Sequence, residues 1–169
     1  GSPERGYDGR VEEAVSNKPW SLWAGSVLDV PPSFDGHFDF AFSTSAFEHI
    51  ADVAGALKAV RRLLKPGGRF FLLAMVIWPS PFGHHLPPIQ CDGVEFGYAN
   101  PPFPPWSHLL LDADAMTDFL RQRYSAEQAG RILHFVYQSP HINRLFVEDY
   151  AQALQGAGFA ECRLGHVSG

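Results

Sequence analysis

A glutamate and a histidine stand side by side at positions 48 and 49, shortly after a hydrophobic stretch that begins at Phe38. An imidazole titrates near neutral pH, so it can accept a proton from a reacting group or orient a substrate. We therefore take His49 as the candidate catalytic residue. The alternative, in which His49 only caps or packs against the neighbouring structure, stays open from the sequence alone.

The residues around this pair predict a strand, a helix and a second strand. The block FDFAFS, residues 38–43, alternates large apolar side chains with others and predicts a strand. Asp52 suits a helix N-terminus, and Pro66-Gly67-Gly68 ends a helix. The apolar run at 70–76 predicts a strand that is covered on both faces. One apolar stripe marks the buried side of the helix: Val53, Leu57, Val60 and Leu64.

Two strands joined by a helix form a parallel crossover unit. In open α/β sheets, ligands bind at the carboxyl ends of the strands. The segment from Thr44 to His49 is therefore the expected edge of a site. Architecture alone does not establish a reaction, because one fold supports many activities.

Several short motifs in this region resemble class I S-adenosylmethionine-dependent methyltransferases. The resemblance implies a Rossmann-like α/β sheet, with S-adenosylmethionine as cofactor. It places Ser26 and Val27 against the adenine, and Ser43 and Thr44 beside the methionyl and sulfonium region. Residues 146–167 look like the last helix of that fold and the strand after it. The motifs that carry the resemblance are Gly25-Ser26-Val27, Val30-Pro31, Phe38-Asp39, Glu48-His49 and the run from Arg62 to Gly68.

The glycine-rich cofactor turn of these methyltransferases is not found before Gly25. We therefore expect a single methyltransferase-like domain over residues 1–169 that is truncated at its N-terminus. Gly1-Ser2 is interpreted as a tag remnant, and residues 1–19 as an irregular lead-in. A bare strand edge invites pairing with another chain. We accordingly expect that a homo-oligomer, or the missing N-terminal part, covers the open edge of the sheet.

A proline-rich segment follows the second strand and differs from its surroundings. Residues 79–105 carry eight prolines and read as a long loop, and its aromatic residues favour an ordered lid over disorder. In such methyltransferases, this position often shapes the acceptor pocket. We expect His84, His85 and Trp106 to contact the substrate, and the helices predicted up to residue 145 to form a cap.

Two other interpretations of this segment were considered. Asn100-Pro101-Pro102-Phe103 matches the amine-binding motif of nitrogen methyltransferases, but it does not directly follow the candidate site strand, so a loop turn is favoured. The scattered histidines lack the i, i+4 spacing of helical ligand pairs, and no carboxylate completes a set, so no metal site is predicted.

Composition narrows the range of partners. The formal net charge of −5 gives no basic surface for phosphate backbones, so nucleic acid is not expected. The apolar runs are too short to span a bilayer, so no membrane contact is expected. Cys91 and Cys162 lie far apart and outside any metal or redox spacing, which favours a reduced cytoplasmic compartment.

The sequence thus predicts methyl transfer from S-adenosylmethionine to a small-molecule or sugar-like acceptor, with this chain acting alone or within a longer chain or assembly. The alternative is a non-catalytic methyltransferase-like module that serves binding or oligomerisation.

Overall fold

The computed structural model describes residues 11–12, 22–23, 25–91, 93–163 and 165. The strands in chain order are β1 Val11–Glu12, β2 Leu22–Trp23, β3 Phe38–Thr44, β4 Leu64–Leu73, β5 Ile89–Cys91 and β6 Val94–Phe96. The α-helices are α1 Val53–Leu63, α2 Ser107–Leu110, α3 Ala113–Arg121, α4 Ala126–Leu133 and α5 Val147–Gly156. Strands pair two by two among the described residues: β1 with β2 and β5 with β6 antiparallel, and β3 with β4 parallel.

The β3–α1–β4 unit has the predicted order of elements. Asp52 caps α1, since its carboxylate accepts a hydrogen bond of 2.8 Å from the Gly55 N–H. β4 begins directly after the helix at Leu64, and Thr44 at the carboxyl end of β3 lies in register with Leu73. The carboxyl ends of both strands therefore meet at one edge, where the site was expected.

The two strands are covered by helices on one face. Phe70 and Leu72 pack into a core with α1 and α5, and Arg61 of α1 donates to the Gly158 carbonyl after α5. The opposite face exposes large aromatic side chains, with Phe42 71% exposed. The prediction that β4 is covered on both faces is thus not matched, because no described helix lies over Phe40, Phe42 and Phe71. The apolar run therefore shows that both faces of β4 are hydrophobic, but it does not show that both faces are covered.

Arg62, near the end of α1, holds the segment that precedes β3. Its guanidinium pairs with Asp35 and donates to the Val30 carbonyl, and its own carbonyl accepts from the Gly36 N–H. Because a planar guanidinium bonds several acceptors at once, a single side chain fixes residues 30–36 against the helix.

The cap forms a second hydrophobic core of its own. Buried residues from the proline-rich segment, α3 and α4 pack together, with Met116, Leu120 and Ile132 fully buried. A capping box opens α4, since the side chains of Ser125 and Gln128 each accept from the other residue's backbone N–H. The segment predicted as one long loop contains the β5–β6 hairpin, so it is more ordered than proline content indicates.

The end of the chain follows expectation in part. Helix α5 occupies the place predicted for the last helix. The strand expected after it does not form over residues 157–163, and the rest of that expected strand lies largely outside the described residues. The expected lead-in at 1–19 also lies mostly outside them.

We expect Gly67→Val to destabilise the protein by about 1–3 kcal/mol, because Gly67 has a φ of +78° that a β-branched residue adopts only under strain. Gly130→Ala is the matched control, since Gly130 lies inside α4 with open space around it and alanine favours a helix. Urea unfolding of both variants measures the difference. Equal stability of the Gly67 variant and the wild type would contradict this account of the backbone at Gly67.

Candidate functional site

The chain leaves β3 by a sharp turn that places Glu48 and His49 at the strand's carboxyl end. Ser45 adopts a left-handed φ of 50°, and its N–H still donates to the Leu73 carbonyl at 2.9 Å. Phe47 is 3% exposed and packs against Phe70 of β4, with ring centroids 5.9 Å apart. Phe47–His49 forms a single 3₁₀ turn, which we call the Glu-His turn. Its position is set by the sheet below it.

Asn143 of the cap binds the Glu-His turn through several hydrogen bonds. Its side-chain amide donates to the carbonyls of Phe47 at 2.7 Å and Ile50 at 3.0 Å. Its backbone N–H donates to the Glu48 carbonyl at 2.9 Å. Tyr150 of α5 makes a further hydrogen bond with the Asn143 side chain. The cap and the α/β part therefore meet at the Glu-His turn.

The hydrogen bonds of His49 define its tautomer. Its Nδ1 lies 2.6 Å from the His141 carbonyl, and a carbonyl only accepts, so Nδ1 carries the proton. In the neutral ring, Nε2 then holds a lone pair, and it has no hydrogen bond among the described residues. A lone pair on an imidazole held by its other nitrogen is the arrangement that a general base needs.

His85 approaches His49 from the proline-rich segment, with ring centroids 4.9 Å apart. Its Nε2 donates to the Val76 carbonyl at 2.8 Å, so Nδ1 is the free acceptor. Burial lowers the pKa of His85, as do His49 and His141, while the Val76 carbonyl and Glu48 act to raise it. Two imidazole rings from distant parts of the sequence, each with one nitrogen free to accept, thus pack edge to face.

Strained backbone surrounds the same place. Ser45, Val76 and His85 all have positive φ values, of 50°, 58° and 45°. Such conformations cost free energy in residues other than glycine, and they concentrate at functional sites. His85 packs against the His49 ring, the Val76 carbonyl accepts from His85, and Ser45 begins the turn that leads to His49, so the strain is consistent with a site here.

Glu48 is almost fully buried, at 1% exposure, beside the two histidines. Its Oε2 atom has no hydrogen-bond partner. Among the described residues, no lysine or arginine forms an ion pair with it. Burial lowers the pKa of His85 and raises the pKa values of Tyr98 and Tyr150; the charge of Glu48 opposes the first effect and adds to the other two.

The other residues expected to bind substrate lie elsewhere. His84 turns away from His85 into the cap core, where it is 1% exposed and packs edge-on against Phe103 and His108. Trp106 is 47% exposed, and its backbone N–H donates to the Pro81 carbonyl. Of the three residues expected to contact substrate, only His85 adjoins His49 among the described contacts.

The four positions expected to bind cofactor are arranged as follows. Val27 and Ser43 line one cavity of about 420 Å³ beside β3, together with Phe47 and Ile50. Ser26 caps the short turn Val27–Asp29 through a hydrogen bond from the Leu28 N–H. Thr44 is exposed at the strand end. An apolar cavity with one hydroxyl fits the adenine side of S-adenosylmethionine, while a cradle for its methionine end is absent from the described residues.

Metal and membrane sites were also sought. Over the described ranges, no group of three histidine, cysteine or acidic residues is placed to hold a metal ion. Likewise, no helix in the described part of the chain is long and apolar enough to cross a bilayer.

Comparison with known proteins bears on this geometry. Residues 8–72 match a family model described as a methyltransferase domain. The resemblance to class I S-adenosylmethionine-dependent methyltransferases is confirmed over this stretch. It covers β3, α1 and nearly all of β4, and therefore the strand that delivers the Glu-His turn. Members of this methyltransferase family typically use S-adenosylmethionine, and the fold they imply is α/β and Rossmann-like.

Relatives among curated proteins include ubiquinone biosynthesis O-methyltransferases from Xanthomonas oryzae pv. oryzae strains PXO99A, MAFF 311018 and KACC10331. Each is 37% identical to this chain over 57 residues, which is 34% of this chain and 24% of the relative. The match thus spans about a quarter of the length of these methyltransferases. No solved structure matches the chain significantly.

Sequence reasoning missed three residues of this candidate site. Glu48 was seen beside His49 but given no role, since glutamate is rarely buried. His141 and Asn143 carry no local signal, because their contacts with the Glu-His turn span more than ninety residues of sequence. The available clue was the group of polar residues in the last cap segment, Ser139 to Arg144.

We expect Asn143→Ala to destabilise the protein by about 1–3 kcal/mol, because the Ile50 carbonyl loses its side-chain donor and the Phe47 carbonyl keeps only the Ile50 N–H. Asn100→Ala is the control, since Asn100 is exposed and makes a single hydrogen bond to the Glu95 carbonyl. Chemical denaturation gives the stabilities, and hydrogen exchange at residues 47–50 reports whether the turn loosens. An Asn143 variant as stable and as protected as the control would rule out the clamp.

We expect stability to fall as the pH is lowered from about 6.5 towards 4. Burial, with His108 and His85 nearby, lowers the pKa of His84 from 6.5 to about 3, so the unfolded chain binds its proton first. The contribution is complete above the unfolded pKa and is lost progressively below it, by up to about 1.4 kcal/mol per pH unit for one histidine.

His84→Gln should flatten this dependence, whatever its effect on stability at pH 7. Gln155→Ala, an exposed change in α5, controls for substitution itself. Urea unfolding at half-unit pH steps provides the slopes. An unchanged slope in the His84 variant would show that this imidazole protonates freely in the folded protein.

Proposed function

We propose that this chain forms the acceptor-binding part of a methyltransferase that acts on a hydroxyl oxygen of a small-molecule, sugar-like acceptor. The observation that carries the proposal is His49, whose Nε2 lone pair is presented at the carboxyl end of β3 while His141 fixes Nδ1. The name of the curated relatives, O-methyltransferase, supports oxygen as the target atom. Their quinone-related substrate is not carried over, because the match covers only a quarter of their length.

The residues of this chain have distinct tasks in that reaction. His49 Nε2 accepts the proton of the attacking hydroxyl, and the His141 carbonyl stabilises the ring in the required tautomer and orientation. His85 offers a second acceptor beside it, and Asn143 keeps the turn from shifting. S-adenosylmethionine, when bound, supplies a methyl group already activated on its sulfonium. Alignment and exclusion of water then account for much of the rate.

Val27 and Ser43 are the residues best placed to hold the adenine side of the cofactor, because they line one cavity next to the Glu-His turn. Ser26 and Thr44 are the sequence neighbours of Val27 and Ser43, respectively. We propose that the remaining cofactor contacts come from residues outside the described part or from a longer chain. The whole active unit is then larger than the part seen here.

A second candidate function is a non-catalytic module for binding or oligomerisation, and the exposed face of the sheet favours it. Phe40, Phe42 and Phe71 are each more than half exposed, at 55%, 71% and 52%. Aromatic surface of this kind marks a contact site or a missing cover. A second copy, or the N-terminal part of the methyltransferase fold, is the cover we propose.

Calorimetric titration with S-adenosylmethionine separates the two functions. Micromolar binding to the purified chain would exclude the non-catalytic module, whereas silence from a folded protein would exclude an autonomous enzyme. In the form that binds cofactor, His49→Asn should lower turnover by about 10²–10⁴-fold, with unchanged cofactor affinity. His134→Asn is the matched control, because His134 lies at the surface and bonds only Gln138 among side chains. Full turnover in the His49 variant would disprove the assignment of the base.

A further inference from the structure

The carboxylate of Glu48 has an unusual combination of properties. It is 1% exposed, its Oε2 lacks any hydrogen bond, and no cation of the described residues pairs with it. A buried, unpaired carboxylate is destabilising unless a donor reaches it. The folded chain therefore carries an acceptor atom whose partner is not another described residue.

The groups beside Glu48 are acceptors as well. His49 donates through Nδ1 to the His141 carbonyl, and His85 donates through Nε2 to the Val76 carbonyl. Both rings consequently face their surroundings with lone pairs, on Nε2 and Nδ1 respectively. The rings of His49 and His85 lie 4.9 Å apart, and Glu48 acts electrostatically on His85, so the three groups are near one another. A molecule with several donors would suit such a set of acceptors.

We propose that Glu48 is a substrate-binding residue that accepts a hydrogen bond from one hydroxyl of a polyol acceptor, while His49 engages a neighbouring hydroxyl. This inference rests on the proposed function, and it narrows the acceptor to compounds with adjacent hydroxyl groups. One hydroxyl is held by the carboxylate and the other is presented to the base.

The surroundings favour a neutral polyol over an organic cation. The ring of Tyr98 lies 5.5 Å from that of His85 and 5.7 Å from that of Phe82, so it provides an aromatic wall beside the acceptor cluster. One carboxyl group and two imidazole rings offer several acceptor atoms. Hydroxyl groups use all of these atoms, whereas a quaternary ammonium uses none of the lone pairs.

Glu48→Gln tests the proposal with little change of shape. Without ligand, the variant should melt about 2–4 °C higher than wild type, because it replaces a buried carboxyl group whose Oε2 has no hydrogen-bond donor. A residue kept for structure would lower the melting temperature instead. Glu127→Gln on the exposed surface of α4 is the control and should change nothing. The His85 pKa should fall further in the Glu48 variant, since Glu48 raises it in the wild type; histidine NMR titration measures this.

Binding provides the second measurement. Methyl glucoside, methyl mannoside and methyl galactoside are the probes, their fully O-methylated forms are the negative controls, and saturation-transfer NMR detects them. We expect at least one free glycoside to bind wild type and Glu127→Gln, and to bind Glu48→Gln at least tenfold more weakly. The O-methylated forms should not bind.

Three results would overturn the proposal: equal glycoside affinity in the Glu48 variant, a lower melting temperature in that variant, or preference for ethanolammonium or choline over every glycoside. These measurements need no cofactor. Failure of methyl transfer alone would thus contradict the proposed function while leaving polyol binding by Glu48 in place, so the two can fail separately.

Discussion

The arrangement of the site depends on the hydrogen bonds from Asn143 to the Glu-His turn. The α/β part and the cap have separate hydrophobic cores, so burial within each does not by itself fix one against the other. Three N–H groups of Asn143 join the two parts, since they donate to the carbonyls of Phe47, Glu48 and Ile50 in a turn that has few internal bonds. The His141 carbonyl belongs to the same cap segment, so the clamp that joins the two parts also orients His49.

A site built at such a junction combines burial with unsatisfied polarity. His49 and His85 each use one nitrogen to hold a backbone carbonyl, which leaves the other nitrogen as an acceptor. The Oε2 atom of the neighbouring Glu48 has no hydrogen-bond partner. Protein interiors rarely keep such groups, because each costs stability. The strained backbone at Ser45, Val76 and His85 adds to that cost. These features lower stability at the Glu-His turn, whereas the cores on both sides are well packed. Such a local loss of stability is consistent with a binding role.

The methyltransferase match and the structure agree on what this chain contains. Residues 8–72 match the family, and this stretch supplies the strand whose end carries the Glu-His turn. The same strand leaves its aromatic face open, because both covering helices lie on the other side. A face of this kind is stable in water only when something covers it. The open face and the partial match both support the proposal that the working unit is larger than the described part.

Local signals in the sequence were sufficient for the elements. The apolar stripe from Val53, the Asp52 cap and the capping box at Ser125 depend on neighbours within four residues, so α1 and α4 were predictable. The order of β3, α1 and β4 and the position of His49 at a strand end followed from the same signals. The hairpin within the proline-rich segment was missed, because proline and glycine obscure short strands.

The sequence by itself determined the βαβ unit, its resemblance to class I methyltransferases and the candidate base. Only the tertiary structure decided which side chains meet that base. His84 and His85 are adjacent in sequence, yet the first enters the cap core and the second joins His49, because the backbone turns at His85. The burial of Glu48, and the lack of a hydrogen-bond partner for its Oε2 atom, are properties of the folded chain. Contacts between residues more than ninety positions apart depend on packing of the whole chain, which no local pattern encodes.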